Sequence, residues 1–175
     1  MAITHRNSQG LAAATANPVT FVMPTGHTTD DLLLAWIGAK PYTLTSSSGT
    51  VTTDYTSLGS KTSGTVANGT GVGSTFVQAW HRTHDGAESA PTLTMSAAPN
   101  PSMRAMSAYS KDNAGAWDIT STTGADTSAS GTGVSCASDA TVDLAAGDVL
   151  LIQAAFPDDT ANVGSFAVTA SGITF

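Results

Sequence analysis

The chain has 175 residues, 41% of them hydrophobic and only 11% charged, with a net charge of −7 and one cysteine. That supplies apolar material for one core and argues against wholesale disorder. The six basic residues, Arg6, Lys40, Lys61, Arg82, Arg104 and Lys111, form no stripe that could neutralise a phosphate backbone or an anionic membrane surface, so neither nucleic acid nor membrane is expected as a partner.

Residues 1–17 are small and polar, with alanines but no amphipathic period long enough for a helix, and they read as an extended N-terminal arm. An arm of this kind can lie on a neighbouring subunit, and His5 and Arg6 are its candidate contact residues. The N-terminus has no apolar stretch of the secretory type. From residue 18 to 175 the pattern is that of a single β domain. Val19, Phe21 and Met23 alternate with Thr20 and Val22, and Pro24 ends that strand. After the turn Thr25-Gly-His-Thr-Thr29 come Asp30-Asp31 and the apolar run Leu32–Ala39, too short to span a bilayer and suited to a strand covered on both faces. Residues 41–53 are a Thr-rich strand or loop, Tyr55–Gly59 a short strand, and 62–74 a loop with an Asn68-Gly69 turn signal.

Thr75–His84 reads as a strand with Phe76, Gln78, Trp80 and Arg82 on one face and Val77, Ala79 and His81 on the other. Leu93 and Met95 point the same way in the next strand. In the one after it, Met103, Ala105, Ser107 and Tyr109 oppose Arg104, Met106 and Ala108. Residues 111–133 are rich in Gly, Ser, Thr and Ala, with Trp117 and Ile119 as anchors. Gly147-Asp148 then leads into Val149–Phe156, which echoes the Asp30–Ala39 segment and is expected as a second central strand. The chain ends at Phe175 in the middle of a strand-like pattern, so either the last strand is tucked into a sheet or the natural protein continues. Many short strands, 28 threonines and Gly, Pro and Asn turns together predict an all-β, jelly-roll-like antiparallel sandwich.

No catalytic motif emerges. His81 and His84 lie three apart on an extended strand and face opposite ways, so they cannot share a metal with Asp85 without a bulge, and they read as exposed strand-end residues. His27 has no visible partner. Asp30-Asp31, Asp148 and Asp158-Asp159 lack the spacing of a calcium loop and read as turn-forming residues. There is no G-x-S-x-G, Cys136 has no catalytic surroundings and reads as a buried thiol, and Glu88 is the lone glutamate. No cofactor is implied. Trp36 and Trp80 belong to the core by their settings, whereas Trp117 and Tyr42 are candidate contact residues.

The segment Pro24-Thr-Gly-His-Thr-Thr-Asp-Asp-Leu-Leu-Leu34 resembles a motif of tailed-phage virion proteins with β-sandwich folds, often Pro-x-Gly-x-x-x-Gly-Asp-Leu-Leu, with Asp30 at the usual glycine. The Trp80-His-Arg82, Ala108-Tyr-Ser110 and Gly147-Asp-Val-Leu-Leu151 strands follow in the usual order, so the resemblance covers about residues 18–156. It implies a non-enzymatic virion protein, made in the host cytoplasm. Capsid decoration, with the major capsid protein and neighbouring copies of itself as partners, is the first expectation. A tail-fibre or carbohydrate-binding module contacting host glycans is the alternative, and a hydrolase on a concanavalin-like sandwich is weaker still. The resemblance carries no catalytic residue over.

Overall fold

The structure, a computed structural model, describes residues 2–40, 44–63, 75–99, 102–121, 148, 149 and 151. Within them the chain forms β1 (Ile3–Ala14), β2 (Val19–Thr20), β3 (Leu32–Ala39), β4 (Ser46–Ser48), α1 (Thr50–Asp54), β5 (Thr56–Ser63), β6 (Thr75–Thr83), β7 (Thr92–Met95) and β8 (Ser102–Lys111). The strands make a five-stranded antiparallel sheet in the order β1-β8-β3-β6-β5 and a three-stranded one in the order β2-β7-β4. The fold is all-β and sandwich-like.

β3 sits at the centre of the large sheet because its run of apolar residues can be buried on both sides. Leu33, Ala35, Ile37 and Ala39 point into the core between the sheets, where they meet Val19, Phe21, Trp80, Leu93, Met95 and Met106. Trp80 and Phe21 meet edge-on, with ring centroids 6.5 Å apart. Leu32 and Leu34 point the other way and pack with Tyr109 beneath Ile3, Leu58, Trp117 and Ile119. The expected alternation of β2, β6, β7 and β8 is present: Val19, Phe21, Phe76, Trp80, Leu93, Met95, Met106 and Ala108 are all buried core residues. Trp36, on the same face of β3 as the buried Leu32 and Leu34, is only half-buried.

One expectation is corrected. Residues 3–14 are extended, but they are not a free arm: they pair antiparallel with β8 from Ile3↔Lys111 to Ala14↔Ser102 and form an edge of the large sheet. The backbone of β8 offers its open ladder to them, and that outweighs the polar character of their side chains. Both flanks of β3 are taken by β6 and β8 over its whole length, and the middle of the small sheet is β7. Of the expected second central strand, Val149–Phe156, only Val149 and Leu151 are described. Val149 and Leu151 are 42% and 44% exposed and belong to no strand; residues 150 and 152–156 lie outside the described residues. Tyr42, Cys136 and the Asp158-Asp159 pair lie outside them as well.

Polar side chains tie the layers together. The Asn17 amide imitates a strand, accepting from Met95 N and donating to Met95 O, both at 3.0 Å. Ser46 Oγ donates to Gln78 Oε1 at 2.6 Å, and Arg104 Nε donates to the Thr20 carbonyl at 2.7 Å, each linking the small sheet to the large one.

Candidate functional site

The turn before β3 is built around Asp31. Its carboxylate is nearly fully buried (side chain 4% exposed) and accepts from Thr28 N at 2.7 Å, while Arg6 Nε of β1 lies 2.6 Å away. The backbone of this turn is bonded to the end of β6: Asp30 N donates to His84 O at 2.9 Å, and His84 N donates to Asp31 O at 2.8 Å. Asp30 itself has φ of 72°, in the left-handed region that glycine adopts freely and that Asp tolerates better than most residues. The reading of these two residues as turn formers therefore acquires a geometry, with Asp31 capping and Asp30 turning the chain.

The end of β6 and the loop after it carry a cluster of charges. Arg82 Nε lies 2.8 Å from Glu88 Oε1, and its Nη2 donates to Asp85 Oδ2 at 2.8 Å. Asp85 Oδ1 accepts from Ala87 N at 3.0 Å, closing a tight turn around Gly86, and Asp85 N donates to Glu88 Oε1 at 2.8 Å. The Glu88 side chain is 3% exposed, and its other oxygen faces His84 Nδ1. His84 is buried, and its ring meets that of His27 edge-on at 4.4 Å. His84 is thus not an exposed strand-end residue, and His27 has a partner. Both follow from the turn before β3 docking on the end of β6. His81 is half-buried on the other side of the strand, and burial holds its imidazole below the ordinary histidine range.

Beside this cluster, between α1 and the 85–91 loop, is a polar hollow of about 210 Å³ whose wall includes Asp54, Tyr55, Arg82, Asp85 and Glu88. Tyr55 is 7% exposed, and its hydroxyl is buried without a hydrogen-bond partner. Burial, with the Glu88 charge adding to it, pushes the phenol up to about 12. Burial lowers Arg82, but its bond to Asp85 and the charge of Glu88 outweigh that and raise it, so it stays a cation. Asp85 is held below the usual carboxylate range by the Ala87 N–H and by Arg82. The sequence carries one signal for this hollow, Glu88, the lone glutamate, four residues after His84.

The predicted contact residues are not brought together. His5 lies on β1, where its Nε2 is 2.7 Å from Ser8 Oγ and its ring leans on Tyr109 at 5.3 Å. A serine bonded to a histidine is half of a nucleophile pair, but no carboxylate among the described residues bonds the other ring nitrogen, and the pair sits on an open strand. Arg6 is occupied by Asp31. Trp117 is half-buried, its indole N–H donates to Asp30 O at 3.0 Å, and the Lys111 ammonium lies 4.9 Å from its ring centre. It anchors the segment that covers Leu32 and Leu34.

No family model, curated protein or solved structure matches the chain.

Among the described residues, no three His, Cys, Asp or Glu side chains converge on a metal position. The carboxylates of Asp85 and Glu88 are engaged by Arg82 and by the backbone of their own loop, and this arrangement fixes the loop and shapes the wall of the hollow.

Proposed function

We propose that the protein is a non-enzymatic structural component of a tailed-phage virion, a decoration protein on the outer capsid surface that contacts the major capsid protein and neighbouring copies of itself. The observation that carries this reading is the backbone of Asp30. The resembling virion proteins place glycine at this point of the Pro24–Leu34 motif, and here the residue takes the left-handed conformation for which glycine is the usual choice. A glycine would adopt this conformation freely, so the motif's usual residue is compatible with the backbone found here.

The charge distribution supports the same reading. Four of the six basic residues are spent inside the chain: Arg6 on Asp31, Arg82 on Asp85 and Glu88, Arg104 on the Thr20 carbonyl, and Lys111 on Gly115 and Trp117. An acidic surface poor in free cations suits the outside of a shell packed with DNA. With β1 built into the sheet, contact with the capsid falls to loops and sheet edges. The glycan-module alternative loses its best aromatic, because Trp117 is packed and hydrogen-bonded.

An antibody raised against the recombinant chain tests the proposal on purified particles separated into heads and tails. Signal on intact heads is the expected result. Signal confined to tails favours the fibre alternative, and absence from both fractions overturns the virion reading.

A further inference from the structure

The turn that delivers β3 is held to the end of β6 by two backbone bonds and by a pair of imidazoles. Asp30 N donates to His84 O at 2.9 Å, and His84 N donates to Asp31 O at 2.8 Å. The His27 and His84 rings meet edge-on, with centroids 4.4 Å apart. His84 is buried and His27 half-buried.

Each ring has one nitrogen committed. His27 Nδ1 meets the Pro24 carbonyl, which can only accept, so this nitrogen carries the proton. His84 Nδ1 faces Glu88 Oε2, and neither buried atom has another partner among the described residues, so a proton on Nδ1 serves both. Acid therefore adds its proton at Nε2 in both rings. A first proton on His84 is met by the Glu88 carboxylate. A second, on His27, sets a cation edge-on against a cation in a site largely closed to water. The charges around the pair do not offset it. Asp31 is engaged by Arg6 of β1 and by Thr28 N, Glu88 is shared with Arg82, Asp85 is bound to Arg82 and Ala87 N, and Asp30 is exposed.

We propose that the His27–His84 pair is an acid-sensitive latch: with both rings protonated, the turn of residues 25–29 leaves the end of β6 while the sandwich stays folded. This goes beyond the structural role proposed above and does not depend on it. The released turn holds one more proton than the docked one, so docking prevails at neutral pH and is lost as pH falls. Histidine is the side chain whose charge ordinarily changes between about pH 5 and 8, which sets the window. The core between the sheets includes neither ring, and the β3–β6 ladder starts beyond the turn, at Leu32↔Thr83.

The test is native-state hydrogen exchange of the full chain at about pH 7.5 and about pH 5, corrected for the intrinsic rate at each pH. At the lower pH the amides of Asp30 and His84 are expected to lose protection about tenfold or more, while those of Ala35 and Trp80 keep theirs. His27→Gln keeps a donor for the Pro24 carbonyl but takes up no proton, and it is expected to abolish the loss. Unchanged protection at Asp30 and His84, an equal loss in His27→Gln, or a loss shared by Ala35 and Trp80 overturns the proposal. Should His27→Gln fail to fold, the parent chain decides: a loss confined to the turn and His84 supports the latch, and no loss or a loss throughout overturns it.

Discussion

Arg6 Nε lies 2.6 Å from Asp31 Oδ2, joining the edge strand β1 to the turn that delivers the central strand β3. The two residues are 25 positions apart and on different sides of a chain reversal, so the pair closes the structure around its most buried strand. Asp31 is almost fully covered and Arg6 is about a third exposed, which places the pair between the surface and buried regimes. Arg6→Ala and Asp31→Asn are each expected to cost about 1–2 kcal/mol, with a coupling of about 1 kcal/mol in the double-mutant cycle. Urea unfolding of the four proteins measures it, and strictly additive losses would show that the pair contributes nothing. Removing residues 1–17 takes away β1 and this pair together, so the truncated chain is expected to be strongly destabilised.

Asp30 offers a test with the opposite sign. Its φ of 72° is comfortable for glycine and costly for a branched side chain. Asp30→Gly is expected to leave stability within about 0.5 kcal/mol of the parent or to raise it, whereas Asp30→Val is expected to lose about 1–2 kcal/mol. Thermal unfolding distinguishes the two, and equal losses would contradict the backbone argument.

Gly49, at the start of α1, has φ of 118°, and a Cβ there would overlap the Thr92 carbonyl and crowd Leu93 of β7. Gly26 also has positive φ, at 77°, but a Cβ would meet open space. Gly49→Ala is therefore expected to cost more than about 2 kcal/mol and Gly26→Ala only about 1 kcal/mol, the difference being the steric part. Parallel denaturant melts of the two variants check the ranking.

Tyr55 makes stability depend on pH at the alkaline end. Its phenol is raised from 10.0 to about 12 in the folded chain, so the unfolded chain ionises first. The contribution is complete below pH 10 and is lost as pH rises from 10 towards 12, amounting to roughly 2–3 kcal/mol. Tyr55→Phe, which removes a buried hydroxyl without a partner, is expected to equal or exceed the parent in stability near neutrality and to fall less steeply over that window. Identical pH profiles in the two proteins would show that Tyr55 ionises normally.

Trp117 separates packing from recognition. It covers Leu32 and Leu34 and hydrogen-bonds Asp30 O, so Trp117→Ala is expected to lose about 2–3 kcal/mol, and Trp117→Phe about 1 kcal/mol for the missing N–H. Unchanged stability in Trp117→Ala would return the ring to the list of contact residues.

The buried strands were legible because their side chains carry the signal. Leu32–Ala39 is apolar on both faces, and β6, β7 and β8 alternate with a period of two. β1 was not legible: Thr4, Arg6, Ser8 and Gln9 have no apolar period, and the strand exists because β8 had a free ladder. The late echo, Asp148 with Val149–Phe156, lies mostly outside the described residues; Val149 and Leu151, which are described, are exposed and in no strand. The hollow was barely legible in the sequence because it joins α1, β6 and the 85–91 loop across more than 30 residues, and Tyr55 looked like the first residue of an ordinary strand.

The proposal of a capsid decoration protein is tested most directly by a cryo-electron microscopy map of intact particles. The account predicts density for this sandwich on the outer face of the capsid at symmetry-related positions, touching the major capsid protein through loops or sheet edges. Particles whose capsid exterior is bare, with the chain located elsewhere or missing, would contradict it.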